Sequence, residues 1–225
     1  MLLLITDTSG KKGSVALARS QDDSKGVEVI DAAPLTGGTF SAQLVPQIGS
    51  LLEKHQLTKS DIGAFVVVAG PGSFTGLRVG LAAIKALAEI LDKPIVPVSL
   101  LEVVALAADA QGKVLAALNA GRGEFYVGEY EVAGIVARLL REQLLSKDDV
   151  LAGAPGMVIS TPDVALAEIA RAAGIPVSLI ESITAAMIAR LGLRKLSKGA
   201  TVSPEQFEAN YGRRSDAEIF AKPNS

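Results

Sequence analysis

Residues 70–80 read GPGSFTGLRVG and follow directly on the apolar run at residues 64–69. A short apolar run of this kind predicts a buried strand, and the glycines and proline after it predict a sharp turn into a helix. Glycine tolerates unusual backbone angles, and a turn at a helix start can direct several free N–H groups at one point, which suits a phosphate. The stretch therefore predicts either a phosphate-binding loop or a turn that packs closely against another surface.

Neither common nucleotide-binding motif fits this turn. A P-loop continues from its second glycine into Lys and Ser or Thr, whereas Gly76 is followed by Leu77 and the next lysine is Lys85. The dinucleotide fingerprint fails as well, because Thr75 stands where its third glycine belongs and Gly76 comes one residue late. A structural or interface turn is the favoured interpretation, and nucleotide contact is the alternative.

The composition is that of a globular protein with one large core or two modest ones. The 225 residues are 49% hydrophobic with a net charge of −2, which gives no sign of a nucleic-acid-binding surface. No uncharged apolar stretch reaches the roughly 18 residues that span a bilayer, and residues 1–5 lack the features of a signal peptide, so we expect no membrane contact and a cytoplasmic location.

The numbers of cysteine and histidine residues limit the metal sites and catalytic groups that the chain can form. The chain has no cysteine, which excludes disulfides, thiolate metal sites and thiol nucleophiles. Its one histidine, His55, follows a predicted helix, and we interpret it as a surface residue at the helix end. A single imidazole in that position supports neither a histidine metal site nor a general-base triad.

Apolar periodicity orders the first half of the chain as βββαβαβ. The predicted strands and helices of this half lie, in order, at residues 2–7, 14–19, 27–33, 41–54, 64–69, 75–91 and 95–98. A meander that continues into alternating helices and strands predicts a mixed sheet, with the 64–69 strand covered on both faces. An alanine-rich shift at residues 105–111 marks a boundary, so we predict domains at 1–104 and 105–225.

The second half predicts a smaller domain with no repeat that is clear in the sequence. Its expected elements are paired strands at 114–118 and 125–131, an amphipathic strand at 137–145, an isolated strand at 157–160 and helices at 162–173 and 184–196. The last segment, 204–221, is a candidate for a helix that packs back onto either domain.

Four segments in a fixed order resemble a known family. They are LITDTS (4–9), the glycine turn (70–80), NAGRGE (119–124) and YGRRSDAE (211–218). With these motifs the chain resembles the bacterial TsaB (YeaZ) family over nearly its whole length. The resemblance implies the actin-like, Hsp70-like and sugar-kinase (ASKHA) α/β fold, with two RNase-H-like domains, mixed sheets and a reduced second domain. The βββαβαβ order agrees with that fold.

The resemblance also implies a non-catalytic role in tRNA modification. Family members support the transferase TsaD, together with the ATPase TsaE, in placing a threonylcarbamoyl group on the adenosine next to the anticodon (t6A37). The related transferases hold a metal through two histidines four residues apart after the fifth strand, where Leu100 and Val104 stand here. Apolar side chains at i and i+4 pack together but cannot coordinate iron or zinc. We therefore expect no catalytic residue, no metal ligand and no peptidase activity.

Several polar residues have a second interpretation as the remains of a nucleotide site. The first strand of related ATPases ends in an aspartate near metal and phosphates, which would place Asp7 and Ser9 there, with Asn119 and Arg122 from the second half. The alternative is that Asp7, Thr8 and Ser9 cap a turn by hydrogen bonds. Because Asn119 stands where the family often has aspartate, we expect no strong cofactor binding by this chain alone, and ATP or ADP only at or near the partner complex. A stand-alone ATPase or small-molecule kinase of this fold is the alternative function.

The helix after the glycine turn carries the predicted partner surface. Gly76, Gly80, Ala83 and Leu87 form a line along it, and small residues in such a line let another helix approach closely. Burial within the same chain is the alternative. The surface resembles the one that the family uses for homodimers and for the transferase, so these four residues and Arg78 are the predicted interface. On this basis Gly80→Leu or Ala83→Arg is expected to weaken association while the monomer stays folded.

Two remaining features bear on individual residues. The basic residues of the last predicted helix are interpreted as a solvated face rather than an RNA-binding patch, so tRNA contact is expected only indirectly. Phe40, Gly121 and Gly212 depart from the family pattern, and no role that the family's residues have there is carried over. The basic residues of the last predicted helix are Arg190, Arg194, Lys195 and Lys198.

Overall fold

Two five-stranded mixed sheets form the frame of the molecule. The structure is a computed structural model that describes residues 1–21, 26–36 and 38–207. The first sheet has the spatial order β3-β2-β1-β4-β5, in which β1 pairs antiparallel with β2 and parallel with β4. Its strands are β1 (Leu2–Asp7), β2 (Lys12–Ser20), β3 (Val27–Thr36), β4 (Ile62–Gly70) and β5 (Ile95–Ser99), and its helices are α1 (Phe40–Lys54), α2 (Phe74–Leu91) and α3 (Leu100–Leu106).

The second sheet repeats this topology, with the order β8-β7-β6-β9-β10. Its strands are β6 (Gly112–Gly121), β7 (Glu124–Ala133), β8 (Val136–Ser146), β9 (Val158–Thr161) and β10 (Val177–Leu179), and its helices are α4 (Lys147–Ala152), α5 (Val164–Ala172) and α6 (Ala185–Ser197). The second copy is shortened, since β9 has 4 residues and β10 has 3, whereas β4 has 9 and β5 has 5. This shortening hides the duplication in the sequence.

The predicted order of the first half is confirmed, and most predicted elements extend by a few residues at their ends. The prediction of an isolated strand at 157–160 is wrong, because β9 lies between β6 and β10 and pairs in parallel with both. β10 and α4 were not predicted, since a three-residue strand is too short to show alternation. Most of the candidate helix at 204–221 lies outside the described residues.

Alternate residues of each strand lie on opposite faces of the sheet, and helices cover both faces of each sheet. The molecule therefore has five layers, three of helices and two of strands. α1 and α2 cover the outer face of the first sheet, while α4 and α5 cover the outer face of the second. α3 and α6 lie between the two sheets. In α3, Leu100 and Val103 pack with the first sheet, whereas Leu101 and Val104 pack with the second.

The middle layer ties the two repeats together. α6 follows the second sheet in sequence but packs on the first, with Gly192 so close to β4 that a Cβ there would lie 2.4 Å from Val66 Cγ1. α3 follows the first sheet but packs on β6 and β7, and the Ser160 hydroxyl donates a buried 2.8 Å hydrogen bond to the Val104 carbonyl. The predicted boundary after Val104 falls within α3, and the division into domains 1–104 and 105–225 stays a prediction.

We expect Gly192→Ala to lower the free energy of unfolding by about 1–3 kcal/mol, because the added methyl group overpacks the contact between α6 and β4. Gly49→Ala in α1 is the matched control, since nothing lies within 4 Å of the added Cβ. The control should keep stability or raise it by up to about 1 kcal/mol, because alanine favours a helix over glycine. Urea unfolding of both variants measures the difference, and equal effects would contradict the close contact.

Candidate functional site

The turn between β1 and β2 is held by its own polar side chains. Ser9 donates to Asp7 Oδ1 from its backbone N–H at 2.9 Å and from its hydroxyl at 2.6 Å. Thr8 and Ser9 are themselves buried. Burial raises the pKa of the Asp7 carboxyl above its ordinary 3.8, and the two bonds from Ser9 oppose that rise. The side-chain hydrogen bonds predicted as one alternative are confirmed for Asp7 and Ser9, and nucleotide contact stays a prediction.

The glycine turn after β4 closes over the β1–β2 turn. The Ser73 N–H donates to the Ser9 carbonyl at 2.6 Å, and a Cβ on Gly72 would come within 2.4 Å of that same oxygen. Ser73 also caps α2, since its hydroxyl accepts from the Gly76 N–H. The donors at Ser73 and Gly76 thus serve the fold itself, and the turn is a close-packing device in this structure.

Two of the five predicted interface residues need correction. Gly76 and Gly80 are buried inside the chain, where a Cβ would come within 2.2 Å of the Thr8 carbonyl oxygen and of Thr8 Oγ1, respectively. The close approach predicted for them is therefore to the β1–β2 turn. The expectation that Gly80→Leu leaves the monomer folded is wrong, because even one added carbon overlaps the buried Thr8 side chain.

The other three predicted interface residues are at least partly accessible. Arg78 is exposed, with its guanidinium carbon 3.7 Å from the centre of the Phe74 ring. Ala83 and Leu87 are half-buried against the core of the first sheet. Their interface role stays a prediction. The line of small residues in the sequence does not include the more exposed side of α2, where Ala82, Ala86 and Ile90 follow one another at intervals of four residues.

Asn119 and Arg122 lie at the turn between β6 and β7, which is the counterpart of the β1–β2 turn in the second repeat. The Asn119 amide donates to Asp163 Oδ2 at 2.8 Å, and its oxygen accepts from the Gly121 N–H. Asp163 in turn caps α5. Arg122 is exposed with a φ of 56°. In the described part of the chain no hydrogen bond joins this turn to Asp7 or Ser9, so the structure does not bring the predicted nucleotide residues into one bonded set.

Leu100 and Val104 are core residues, as their apolar character predicts. Leu100 is 7% exposed and packs with the first sheet and α6, while Val104 is fully buried against the second sheet. Among residues 1–21, 26–36 and 38–207, no three His, Cys, Asp or Glu side chains cluster as metal ligands would. His55 ends α1, with its Nε2 2.8 Å from Asp31 Oδ2. Leu100 and Val104, the two positions after β5 considered above, therefore serve packing.

The interpretation of the basic residues on α6 as a solvated face is wrong for two of them. Lys195 is half-buried and its Nζ lies 2.9 Å from Glu102 Oε2 on α3. Arg194 is half-buried as well, and its Nε is fully enclosed. Arg190 and Lys198 are exposed. The helix faces the gap between the sheets, a placement that its sequence alone does not reveal.

Phe40 supplies packing where the family resemblance offers no role. Cβ atoms added to Gly13 and Gly76 would lie 3.0 and 3.2 Å from carbon atoms of the Phe40 ring. The ring therefore fills the space between β2 and α2. Gly121 has a φ of 80°, which glycine adopts without strain. Gly212 and the rest of the YGRRSDAE motif lie outside the described residues.

Comparison with known proteins agrees with this architecture. The family described as TsaD, tRNA N6-adenosine threonylcarbamoyltransferase, matches residues 35–195. The tRNA threonylcarbamoyladenosine biosynthesis proteins TsaB of Bacillus subtilis (strain 168) and Escherichia coli (strain K12) are 33% identical over 147 residues and 31% identical over 134 residues. These matches cover 64% and 58% of this chain, and 61% and 55% of the relatives. The chain thus spans less than two thirds of the curated relatives that it matches.

A solved structure agrees over a longer range. An uncharacterized protein with similarity to peptidase YEAZ from Pseudomonas aeruginosa is 26% identical with a TM-score of 0.73, covering 94% of this chain and 99% of that one. This chain belongs to the TsaB (YeaZ) family. The two mixed sheets of this chain and its likeness to that structure confirm the predicted ASKHA fold. Among the described helices, none is long and apolar enough to cross a membrane.

The raised pKa of Asp7 predicts how the turn responds to pH. Because the folded state holds the Asp7 proton more tightly, this residue's contribution to stability is full below 3.8 and is lost as the pH rises through the folded pKa. Asp7→Asn keeps an oxygen acceptor for Ser9 but does not titrate. We therefore expect the stability of the variant, relative to the unmodified protein, to rise as the pH increases from 3.8 through the folded pKa of Asp7. Urea unfolding across that range measures it, and a difference that stays flat would contradict the raised pKa.

Proposed function

We propose that this chain is a non-catalytic subunit required for making t6A37 in tRNA, where it binds and supports a TsaD-like transferase. Membership of the TsaB family supports the pathway, because the named relatives are biosynthesis proteins for this modification. The observation that carries the non-catalytic part is the burial of Leu100 and Val104, where the family resemblance puts the metal-binding histidines of the transferases. A partner must then supply the catalytic centre.

The outer helical layer on the first sheet is the surface proposed for that partner. α1 and α2 contact each other on this face, and both leave small or apolar side chains exposed. Val45 on α1 is 52% exposed and Ile90 on α2 is 74% exposed. An apolar helical face of this kind suits a second helical layer from a homologous protein. The other exposed alanine, proline and glycine residues on the two helices are Ala42, Pro46, Gly49, Ala82 and Ala86.

The remaining parts of the proposal concern the partners of the chain and its place of action. The homodimer and the transferase use one shared surface. In isolation the chain forms a homodimer through the helical layer, and the transferase replaces the second copy when present. A TsaE-like ATPase joins through the complex, tRNA is contacted indirectly, and ATP or ADP is held at or near the partner. The complex acts in the cytoplasm, and this chain has no peptidase activity of its own.

The function is tested by reconstitution with the TsaD-like transferase and TsaE-like ATPase of the same organism. Threonylcarbamoylation of the tRNA, measured by mass spectrometry of its nucleosides, should require this chain in the mixture. The chain alone should show no steady ATP hydrolysis. Full modification without the chain would contradict the proposal, and sustained hydrolysis by the isolated chain would favour the ATPase or kinase alternative.

The proposed surface is tested by Ala82→Arg, which places a charged side chain on the exposed face of α2 without touching the core. We expect about tenfold or greater loss of transferase binding, because the arginine must be desolvated in an apolar contact. Ala172→Arg on the exposed side of α5 is the matched control and should bind normally. Circular dichroism checks folding and calorimetry measures affinity. Equal binding by both folded variants would place the partner elsewhere.

A further inference from the structure

A cleft of about 930 Å³ opens at one end of the middle layer. Its apolar walls include Val103 and Leu106 from α3, Met187 and Leu191 from α6, and Ile135 from the β7–β8 turn. Small-molecule sites in proteins typically measure about 300–1,000 Å³, with mostly apolar walls and a few polar groups that orient the ligand. The size and walls of the cleft therefore match those of a ligand site.

This cleft is separate from the polar turns discussed above. Met1 and Ser20 line it, at one end of β1 and β2. Asp7 is the last residue at the other end of β1, and Ser9 follows it. β1 has 6 residues, which at roughly 3.3 Å per residue gives about 20 Å. In the second sheet the turn after β7 lines the cleft, whereas the Asn119 turn lies at the opposite end of that strand.

Two arginines of α6 line the cleft. Arg190 and Arg194 are four residues apart and lie on the same side of the helix. The third charged side chain in the lining is Asp109, so these three side chains carry a net positive charge. An anion is therefore the complementary ligand.

Arg194 is the more informative of the two. Its buried Nε has no hydrogen-bond partner within the described residues. Burial lowers the pKa of its guanidinium, against the nearby charge of Glu102, and that carboxylate is already engaged by Lys195. The enclosed Nε cannot itself meet a ligand in the cleft, so a ligand there is received by the two other nitrogens of the guanidinium of Arg194, which lines the cleft.

We propose that this cleft binds a small amphipathic oxyanion, a carboxylate or phosphate monoester carried on an apolar body. The guanidinium of Arg194 receives the oxyanion, because its planar array of donors matches the oxygens of either group. Arg190 adds charge at the more exposed side. The apolar body packs on Val103, Leu106 and Met187. This proposal is independent of the role in tRNA modification and of the outer helical layer.

Paired fluorescent probes test the proposal on the full chain. 8-Anilinonaphthalene-1-sulfonate carries an anion on an aromatic body, and N-phenyl-1-naphthylamine is its uncharged counterpart. We expect the anionic probe to bind one saturable site about tenfold more tightly than the neutral one. Octanoate and octyl phosphate should displace it, and their relative potency tells which oxyanion the cleft prefers. Amide chemical-shift changes should centre on Val103, Leu106 and Met187.

Charge-removing variants show whether the arginines supply the selectivity. Arg194→Met keeps much of the side-chain volume and should weaken the anionic probe about tenfold while leaving the neutral probe unchanged. Its melting temperature should rise, since a buried donor without a hydrogen-bond partner among the described residues is removed. Arg171→Gln on the exposed side of α5 is the matched control and should bind the anionic probe normally.

Several results would overturn the proposal. They are equal affinity for the two probes, unchanged anion binding by folded Arg194→Met, or shift changes outside the cleft. Should Arg194→Met fail to fold, Arg190→Gln and the ratio of the two affinities for the unmodified protein decide the question. Loss of selectivity in Arg190→Gln supports the site. Full retention of selectivity in that variant, or equal probe affinities for the unmodified protein, removes it.

Discussion

The first repeat depends on one close contact, in which the glycine turn after β4 lies directly on the turn between β1 and β2. The Ser73 N–H bonds to the Ser9 carbonyl, and Gly72 leaves no room for a side chain beside it. In the first turn of α2, Gly76 does the same against Thr8. This contact brings α2 down onto the end of the central strand β1. Phe40 then fills the space between α2 and β2, and α1 can pack beside α2 over the same face of the sheet.

The middle layer imposes a second constraint, because α3 and α6 each pack on the sheet of the other repeat. Neither half can bury its inner face alone, since the inner face of the first sheet is covered by α6 and that of the second by α3. Lys195 and Glu102 join the two helices by an ion pair. Arg194 sits next to Lys195, and its buried Nε has no hydrogen-bond partner in the part of the chain that the structure describes.

The sequence predicts the first repeat well because its signals there are local. Alternation and apolar runs mark β1 to β5, and the glycines mark the turn into α2. The second repeat is harder, since β10 has three residues and α4 has six, which are too few for a period to show. Tertiary placement is harder still. A line of small residues such as Gly76 and Gly80 predicts close packing, but the sequence does not say whether the partner is another protein or Thr8. The cleft beside Arg194 is likewise not evident from the sequence, because residues from separate parts of the chain form it.

The two repeats have the same junction between two turns, but different interactions hold it together. In the first, the turn after β4 meets the β1–β2 turn through a backbone bond and glycines. In the second, the turn after β9 meets the β6–β7 turn through side chains, with the Asn119 amide donating to Asp163. An aspartate at position 119 would set two carboxylates at hydrogen-bond distance, and one would have to take up a proton or turn away. The asparagine avoids this conflict by donating to Asp163, which also caps α5. The lack of a charge at this position follows from how the second repeat is held together.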